Sequence, residues 1–374
     1  MTGSVQGARR LAVLTNILAP YRLPIYRRLA EHFDLTILYS GHEPNRAQWR
    51  GLADGLERMR VKHSFGIAIP WLKRDRRAVL DSRYLHLNPG FFTDLLRLRP
   101  DAVISDELGF RTIMALLYAK LFAKPLWVWW GGTLHTERSI GFSRRLVRRR
   151  LAGIVRGWFS YGATSTEYLE SLGVPRSSIV ELQNCVFEGP YVENVAPALQ
   201  LDVRPVVLCV SRLVPGKGVD LLLDAALHVQ GEGLRFSLLL VGEGPEKQRL
   251  EGRVKELGLR DVVFHPPQSP DRVPTLYRSA DVLVFPTLDD VWGLVVNEAL
   301  WSGLPALVSI YAGCARELVP SSSTFDPLDP TDFAAKLRLA VSRQLPPPDL
   351  TRLKRIDEVS SLIIREVYGS GSEA

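Results

Sequence analysis

At 374 residues the chain exceeds what one hydrophobic core organises, so two domains are expected; 46% hydrophobic and 23% charged residues, with a mean hydropathy of +0.02, read as a soluble globular α/β protein. Cys185, Cys209 and Cys314 are few, odd in number and far apart, which argues against a disulfide framework or a cysteine metal site and suits a reducing compartment. A net charge of +7 and a pI near 9.4 favour an anionic partner, whether a nucleoside diphosphate, an acidic lipid surface or nucleic acid, without choosing among them.

The opening MTGSVQGARR is not followed by a signal-peptide core, and no apolar run reaches the roughly 18 residues that span a bilayer, so a cytoplasmic location is expected. RRLAVLTN (9 to 16), FDLTILYS (33 to 40), DAVISD (101 to 106) and PLWVWW (125 to 130) read as short buried strands. Helical stretches such as Phe91 to Leu98 and Arg111 to Phe122 separate them, the pattern of a parallel sheet. A further unit over 157 to 174 leads into a Gly, Pro and Asn-rich stretch where periodicity is lost, and the linker is placed there, near 184 to 204. The alternation restarts with RPVVLCVSRL, FSLLLVGEGP, DVVFHPP, ADVLVFPTL and PALVSI. These spans define an N-terminal Rossmann-like domain over 1 to 190 and a second over 191 to 345. The tail, 346 to 374, carries Leu353, Ile356, Val359, Ile363 and Val367 at helical spacing and is expected to dock back on the N-terminal domain. Two such sheets set the carboxyl ends of their strands, where open α/β sheets bind ligands, on either side of a cleft.

The second half carries the clearest chemistry. In VVLCVSRLVPGKGVDLLLDAA a strand ends at Val210 and a helix begins near Val219, which places Arg212 and Lys217 on the connecting loop. Five residues apart around a Pro-Gly turn, they can converge on one anion; as isolated residues they are a solvated basic loop. The spacing is not that of a Walker A loop. VGEGP, with Gly242 and Gly244, is a second glycine turn after a strand and in isolation only a tight connection. In DDVWGLVVNEALWSGLPAL, Asp290 and Glu298 stand eight residues apart around an apolar helix expected from Gly293 to Leu300. Gly293 would let a ligand approach the backbone, and the helix's free N–H groups favour an anion. The plainer reading makes Asp290 an N-cap and Glu298 a surface acid.

Together, SRLVPGKGVDLLLDA, VGEGP, ADVLVFPTLDDVWGLVVNEALWSGLPALVS and GCARELV, covering 205 to 320, resemble the C-terminal half of the glycosyltransferase family 4 enzymes of GT-B fold. The resemblance implies two doubly wound Rossmann-like domains facing a central cleft, and retaining transfer from a nucleotide diphospho-sugar with no metal or other cofactor required. It implies that Asp290 and the backbone of Val291, Trp292, Gly293 and Leu294 hold the donor sugar, Glu298 the ribose, and Arg212 and Lys217 the pyrophosphate. The sequence lacks any Asp-x-Asp pair, the metal motif of the other large glycosyltransferase fold. It also departs from the family. The first acid is Asp where Glu is usual, Val291 replaces a glycine, and PLWVWWGGTLH sets Trp130 and Gly131 where a His is often found, leaving His135 nearby as an acceptor-side candidate. Asn16 ends the first strand where relatives often carry a Gly-Gly loop near the donor phosphates. There, Pro20 and Pro24 stiffen the turn and present Tyr21 and Arg22 to the cleft, unless Tyr21 packs inward and Arg22 is a surface charge. Trp292 either walls the sugar pocket or anchors the core.

GFSRRLVRRRLAGIVRGW reads as a basic amphipathic helix, with Val147, Leu151, Ile154, Val155 and Trp158 on one face and Arg145, Arg148, Arg149 and Arg156 away from it. It either packs on the sheet or lies on an anionic membrane, as a lipid-linked acceptor would require. WLKRDRR (71 to 77) adds charge and an exposed Trp in a long loop. No strand interleaves aromatic with basic residues, which disfavours nucleic acid. The expected function is a retaining hexosyltransferase, cytoplasmic or peripheral on the membrane, acting on a glycan or lipid-linked acceptor in surface polysaccharide, lipopolysaccharide or glycolipid assembly. The alternatives are a catalytically silent nucleotide-binding partner of a transferase and a nucleotide-sugar epimerase.

Overall fold

A computed structural model describes residues 8–41, 59–75 and 78–369; the opening residues 1–7 and the last two residues of WLKRDRR lie outside the described residues. Among them the chain divides into two compact units, one within Met1–Leu72, Ser82–Cys185 and Lys354–Ala374, the other Lys73–Asp81 with Val186–Leu353.

In chain order the elements up to the connecting segment are β1 (Arg10–Thr15), α1 (Leu23–His32), β2 (Asp34–Tyr39), β3 (Arg60–His63), β4 (Ile67–Asp75), β5 (Ala78–Leu87), α2 (Gly90–Leu98), β6 (Ala102–Asp106), α3 (Phe110–Leu121), β7 (Leu126–Trp130), α4 (Phe142–Ala152), β8 (Gly157–Ser160), α5 (Ala163–Ser171) and β9 (Ile179–Glu181); β4 from Lys73 and β5 up to Asp81 belong to the second unit and the rest to the first. Strands β3-β2-β1-β6-β7-β8-β9 form one parallel sheet, while among the described residues β4 and β5 pair only with each other, so residues 71–75 of the stretch read as a long loop at WLKRDRR are instead strand. Successive side chains of a strand point to opposite faces. Leu11 and Val13 therefore enter the core on one side of the sheet, and Ala12 and Leu14 the core on the other. Burial on both faces explains why these strands read as unbroken apolar runs.

The connecting segment holds α6 (Gly189–Val192). The second unit continues with β10 (Val206–Val210), α7 (Val219–Gly231), β11 (Ser237–Val241), α8 (Lys247–Glu256), β12 (Val262–His265), α9 (Val273–Tyr277), β13 (Val282–Phe285), α10 (Leu294–Trp301), β14 (Ala306–Ser309), α11 (Ala315–Leu318), β15 (Thr324–Phe325) and α12 (Pro330–Val341). Its parallel sheet runs β12-β11-β10-β13-β14-β15. The last helix, α13 (Ile356–Gly369), belongs to the first unit, where Ile356, Val359, Ile363 and Val367 are buried with Leu23, Tyr26 and Leu29 of α1. Burying each such aliphatic side chain is worth roughly 1.5–3 kcal/mol relative to exposure. The exposed Arg28–Asp357 pair at 2.7 Å adds little to that.

Candidate functional site

In the second sheet the strand order reverses at β10, which has β11 on one side and β13 on the other. The loops leaving the carboxyl ends of β10 and β13 therefore meet at a topological switch point, where doubly wound sheets bind ligands. They are joined by backbone: Leu288 N–H donates to Gly216 O at 2.9 Å and the Thr287 hydroxyl to the same oxygen at 3.2 Å. Lys217, on the first loop, donates to Asp290 Oδ2 on the second at 2.5 Å, while Asp290 Oδ1 accepts from Trp292 N–H at 3.1 Å. The Asp290 carboxylate is thereby fixed in direction by one cation and one amide. It caps no helix: Gly293 does, in a left-handed conformation at φ 104°, one residue before α10 begins.

Arg212 and Lys217 are each paired with a different carboxylate. The Arg212 guanidinium forks onto both carboxylate oxygens of Asp81, one of them at 3.0 Å, and Asp81 sits on β5 in the segment 73–81 assigned to this same unit. From that segment Lys73 also donates to Asp289 Oδ2 at 2.5 Å, with both side chains buried. Lys73 and Asp81 escaped the sequence reading because they lie more than 100 residues upstream of their partners and carry no motif. Bidentate carboxylate pairing of an arginine uses the donor geometry that a phosphate would use.

Several motif residues turn out to pack. Trp292 is 1% exposed and donates its indole N–H to Asn297 Oδ1 at 2.9 Å, so it is a core anchor and not the wall of a sugar pocket. At Gly293 an added Cβ would stand 2.5 Å from the Phe285 ring, so the missing side chain makes room for Phe285 and for the positive φ. The turn at Gly242 and Gly244, after β11, packs against the β10–α7 loop, where a Cβ would fall 1.8 Å from Ser211 O and 2.2 Å from Leu213 O. These glycines seat one loop on another. Val291 and Leu294 are half-buried beside Asp290.

Glu298, half-buried on α10, is no plain surface acid. Its Oε2 accepts the Tyr277 hydroxyl at 2.5 Å, and the Tyr191 hydroxyl, from α6, bonds the same carboxylate. Burial pushes the Glu298 carboxyl up to about 7, against the two phenol hydrogen bonds that pull it down. No sequence signal links the two tyrosines, which are brought to Glu298 only by the packing of α6 and α9 against α10.

The donor-side candidate Asn16 and the acceptor-side candidates Tyr21, Arg22 and His135 lie in the first unit. Asn16 follows β1, and its carbonyl accepts from Ser40 and Gly41 N–H at 3.1 and 3.2 Å. Arg22 is 3% exposed, contrary to either expected role: it donates to the Tyr161 hydroxyl at 2.6 Å, lies 3.4 Å over the Trp129 ring and stands 4.0 Å from Asp106. Burial works against its charge, but Tyr161 and Asp106 more than offset that and hold it protonated. Asp106, absent from the sequence reading, ends β6 beside β1 at this sheet's own order reversal and accepts from the Thr15 hydroxyl at 2.8 Å. Burial raises its pKa, opposed by Arg22 and Arg111. Tyr21 is half-buried with its ring centroid 5.8 Å from the Arg22 guanidinium carbon, and His135 is half-buried in the loop after β7.

The basic helix also differs from its sequence pattern. Arg148 is buried, donating to Glu137 Oε2 at 2.5 Å and to the Tyr168 hydroxyl at 2.7 Å, whereas Val147 and Ile154 are exposed. α4 ends at Ala152, so Trp158 lies on β8 and the helical phase that grouped it with Val147 is broken. Phe142, 81% exposed, with Leu146 and Val147, shares the exposed surface of α4 with Arg144, Arg145, Arg149 and Arg150. Among the described residues no helix is long and apolar enough to cross a membrane.

Two doubly wound parallel sheets in one chain, each with its loops gathered at a reversal of strand order, define the GT-B fold. The same architecture is found in Anabaena HepE solved with UDP, which aligns with a TM-score of 0.68 at 14% identity over 97% of this chain and 98% of that one. Residues 194–356 match the family of glycosyl transferases group 1. The D-inositol 3-phosphate glycosyltransferase of Acidothermus cellulolyticus is 35% identical over 155 residues, 38% of this chain and 34% of that protein. The sulfoquinovosyl transferase of Arabidopsis thaliana is 26% identical over 283 residues, 68% of this chain and 52% of that protein. The chain spans about a third of the length of the first relatives it matches.

Proposed function

We propose that the chain is a retaining glycosyltransferase of family 4, moving a hexose from a nucleotide diphospho-sugar to a glycan or lipid-linked acceptor in surface polysaccharide, lipopolysaccharide or glycolipid assembly. The observation that carries this reading is the Lys217–Asp290 contact at the β10/β13 switch point, with Arg212 on the same loop as Lys217 and Glu298 on the helix that follows Asp290. Arg212 and Lys217 take the diphosphate. Asp290, aimed by Lys217 and the Trp292 amide, takes the sugar hydroxyls together with the backbone of 291 to 294. Glu298 takes the ribose. As the bond to the leaving diphosphate breaks, negative charge grows on its oxygen; Arg212, released from Asp81, meets that charge with Lys217 and the amino end of α10, so the reaction needs no metal. The acceptor attacks from the face the diphosphate leaves. UDP and UDP-glucose in the HepE structures support a nucleotide-sugar donor.

The exposed apolar and arginine-rich surface of α4 supports a peripheral position on the cytoplasmic face of an anionic membrane. Purified protein assayed against UDP-, GDP- and dTDP-sugars tests the main reading. Arg212→Ala and Lys217→Ala are each expected to lower turnover roughly tenfold or more, the consequence of losing a charge-assisted phosphate contact of about 1.5–3 kcal/mol, with melting temperature nearly unchanged. Wild-type turnover in both variants on an accepted donor rejects the assignment.

A further inference from the structure

We infer that Tyr191 and Tyr277 are positioning residues for nucleotide recognition: their hydroxyls hold the Glu298 carboxylate oriented so that its remaining acceptor sites face the two ribose hydroxyls. The inference rests on the assignment of Glu298 to the ribose made above. A carboxylate offers about four lone-pair sites. Tyr277 fills one at 2.5 Å and Tyr191 another, which leaves a pair, the number a vicinal diol needs.

The clamp is itself held in place. Tyr277 is buried at the end of α9, and the Tyr191 ring stands edge-on to it with centroids 5.9 Å apart. Tyr191 belongs to a four-residue helix that would have little stability alone. It is fastened by Arg278, the residue after α9, whose guanidinium donates to Tyr191 O at 3.3 Å, Glu193 O at 2.9 Å and Ser302 O at 3.2 Å. The connecting segment, α9 and the end of α10 are thus tied together around one carboxylate. The titratable groups around it are Tyr191 from α6 and Tyr277 from α9, with Cys209 of β10 behind Tyr277; both terminal nitrogens of Arg278 donate to backbone oxygens.

Two forces act on Glu298 in opposite directions. Burial favours the neutral acid, and the phenols favour the anion. A neutral acid would offer the ribose one acceptor fewer and a proton of its own in competition. Removing either phenol lets burial win, so the cost to binding must depend on pH. A purely structural role, loosening α6 or α9, would weaken binding by the same factor at every pH.

Calorimetric titration of UDP, with GDP in parallel, between about pH 5.5 and 9 separates these cases. In the wild type affinity is expected to fall as pH drops through about 7, where Glu298 takes up its proton. Glu298→Gln should be weak throughout and lack that fall, the titration of the phosphates themselves being common to all variants. Tyr277→Phe and Tyr191→Phe should bind about five- to tenfold more weakly at pH 7, with the fall displaced to higher pH and affinity regained toward pH 9. Both changes remove one oxygen and keep the ring, and melting temperatures verify that the fold persists. Phe variants whose profiles coincide with the wild type, or lie below it by a constant factor, overturn the positioning role while leaving the ribose assignment standing. A Glu298→Gln protein that binds like the wild type overturns the ribose assignment itself.

Discussion

If Arg212 binds phosphate, the protein carries its own competitor in Asp81. The guanidinium cannot hold both, because the Asp81 carboxylate already occupies its forked face. Asp81→Asn keeps the size of the side chain and removes its charge. A buried bidentate pair would be worth several kcal/mol to break, but here the partners are 30% and 16% exposed and water screens them, so about 1–2 kcal/mol is the appropriate scale. That cost is charged against every nucleotide that binds the wild type. Asp81→Asn is therefore expected to tighten UDP or GDP binding about five- to thirtyfold. The gain should shrink as ionic strength rises, since a screened pair competes less. In an Arg212→Ala background Asp81→Asn should change nothing, because the group being competed for is gone. Calorimetry on the four proteins of this double-mutant cycle checks the reasoning. Unchanged or weaker binding in Asp81→Asn refutes it, because Asp81 would then be idle or would aim Arg212 at the ligand.

Trp292→Phe removes the indole N–H that Asn297 Oδ1 accepts from in the core and should cost about 1–3 kcal/mol in urea unfolding, with nucleotide affinity unaltered; a change in affinity alone would place Trp292 at the donor site. Arg148→Gln strands Glu137 in a buried pair and is expected to cost about 3–5 kcal/mol, whereas Arg145→Gln on the exposed side of the same helix should stay within about 0.5 kcal/mol by the same measurement. Vesicles of anionic lipid should retain the protein and neutral ones should not. Replacing Phe142, Leu146 and Val147 with Ser should release it without altering donor hydrolysis, and equal recovery on both lipids would remove the membrane surface from the proposal.

The sequence by itself determined the fold class, because periodicity and burial in a parallel sheet are local facts. Runs such as VVLCV and SLLLV need no partner information to be read as strands covered on both faces, and the turn after each marks a ligand-bearing end. It also placed Arg212, Lys217, Asp290 and Glu298 on the right loops and helix, since their spacing is fixed by strand ends a few residues away. Some strands escaped it: β9 and β15, three and two residues long, carry too few side chains to show a period, and the longer β4 and β5 were not read as strands. Only the tertiary structure decided what each site residue touches. Lys217 and Asp290 are 73 positions apart, Arg212 and Asp81 are 131 apart, and Tyr191 and Glu298 meet through a four-residue helix. Arg22 and Arg148 look like surface charges in one dimension because nothing along the chain announces the Trp129, Tyr161, Glu137 and Tyr168 side chains that enclose them. Burial is a property of neighbours in space, and for an isolated charge in a loop or helix those neighbours are brought by other elements of the sheet.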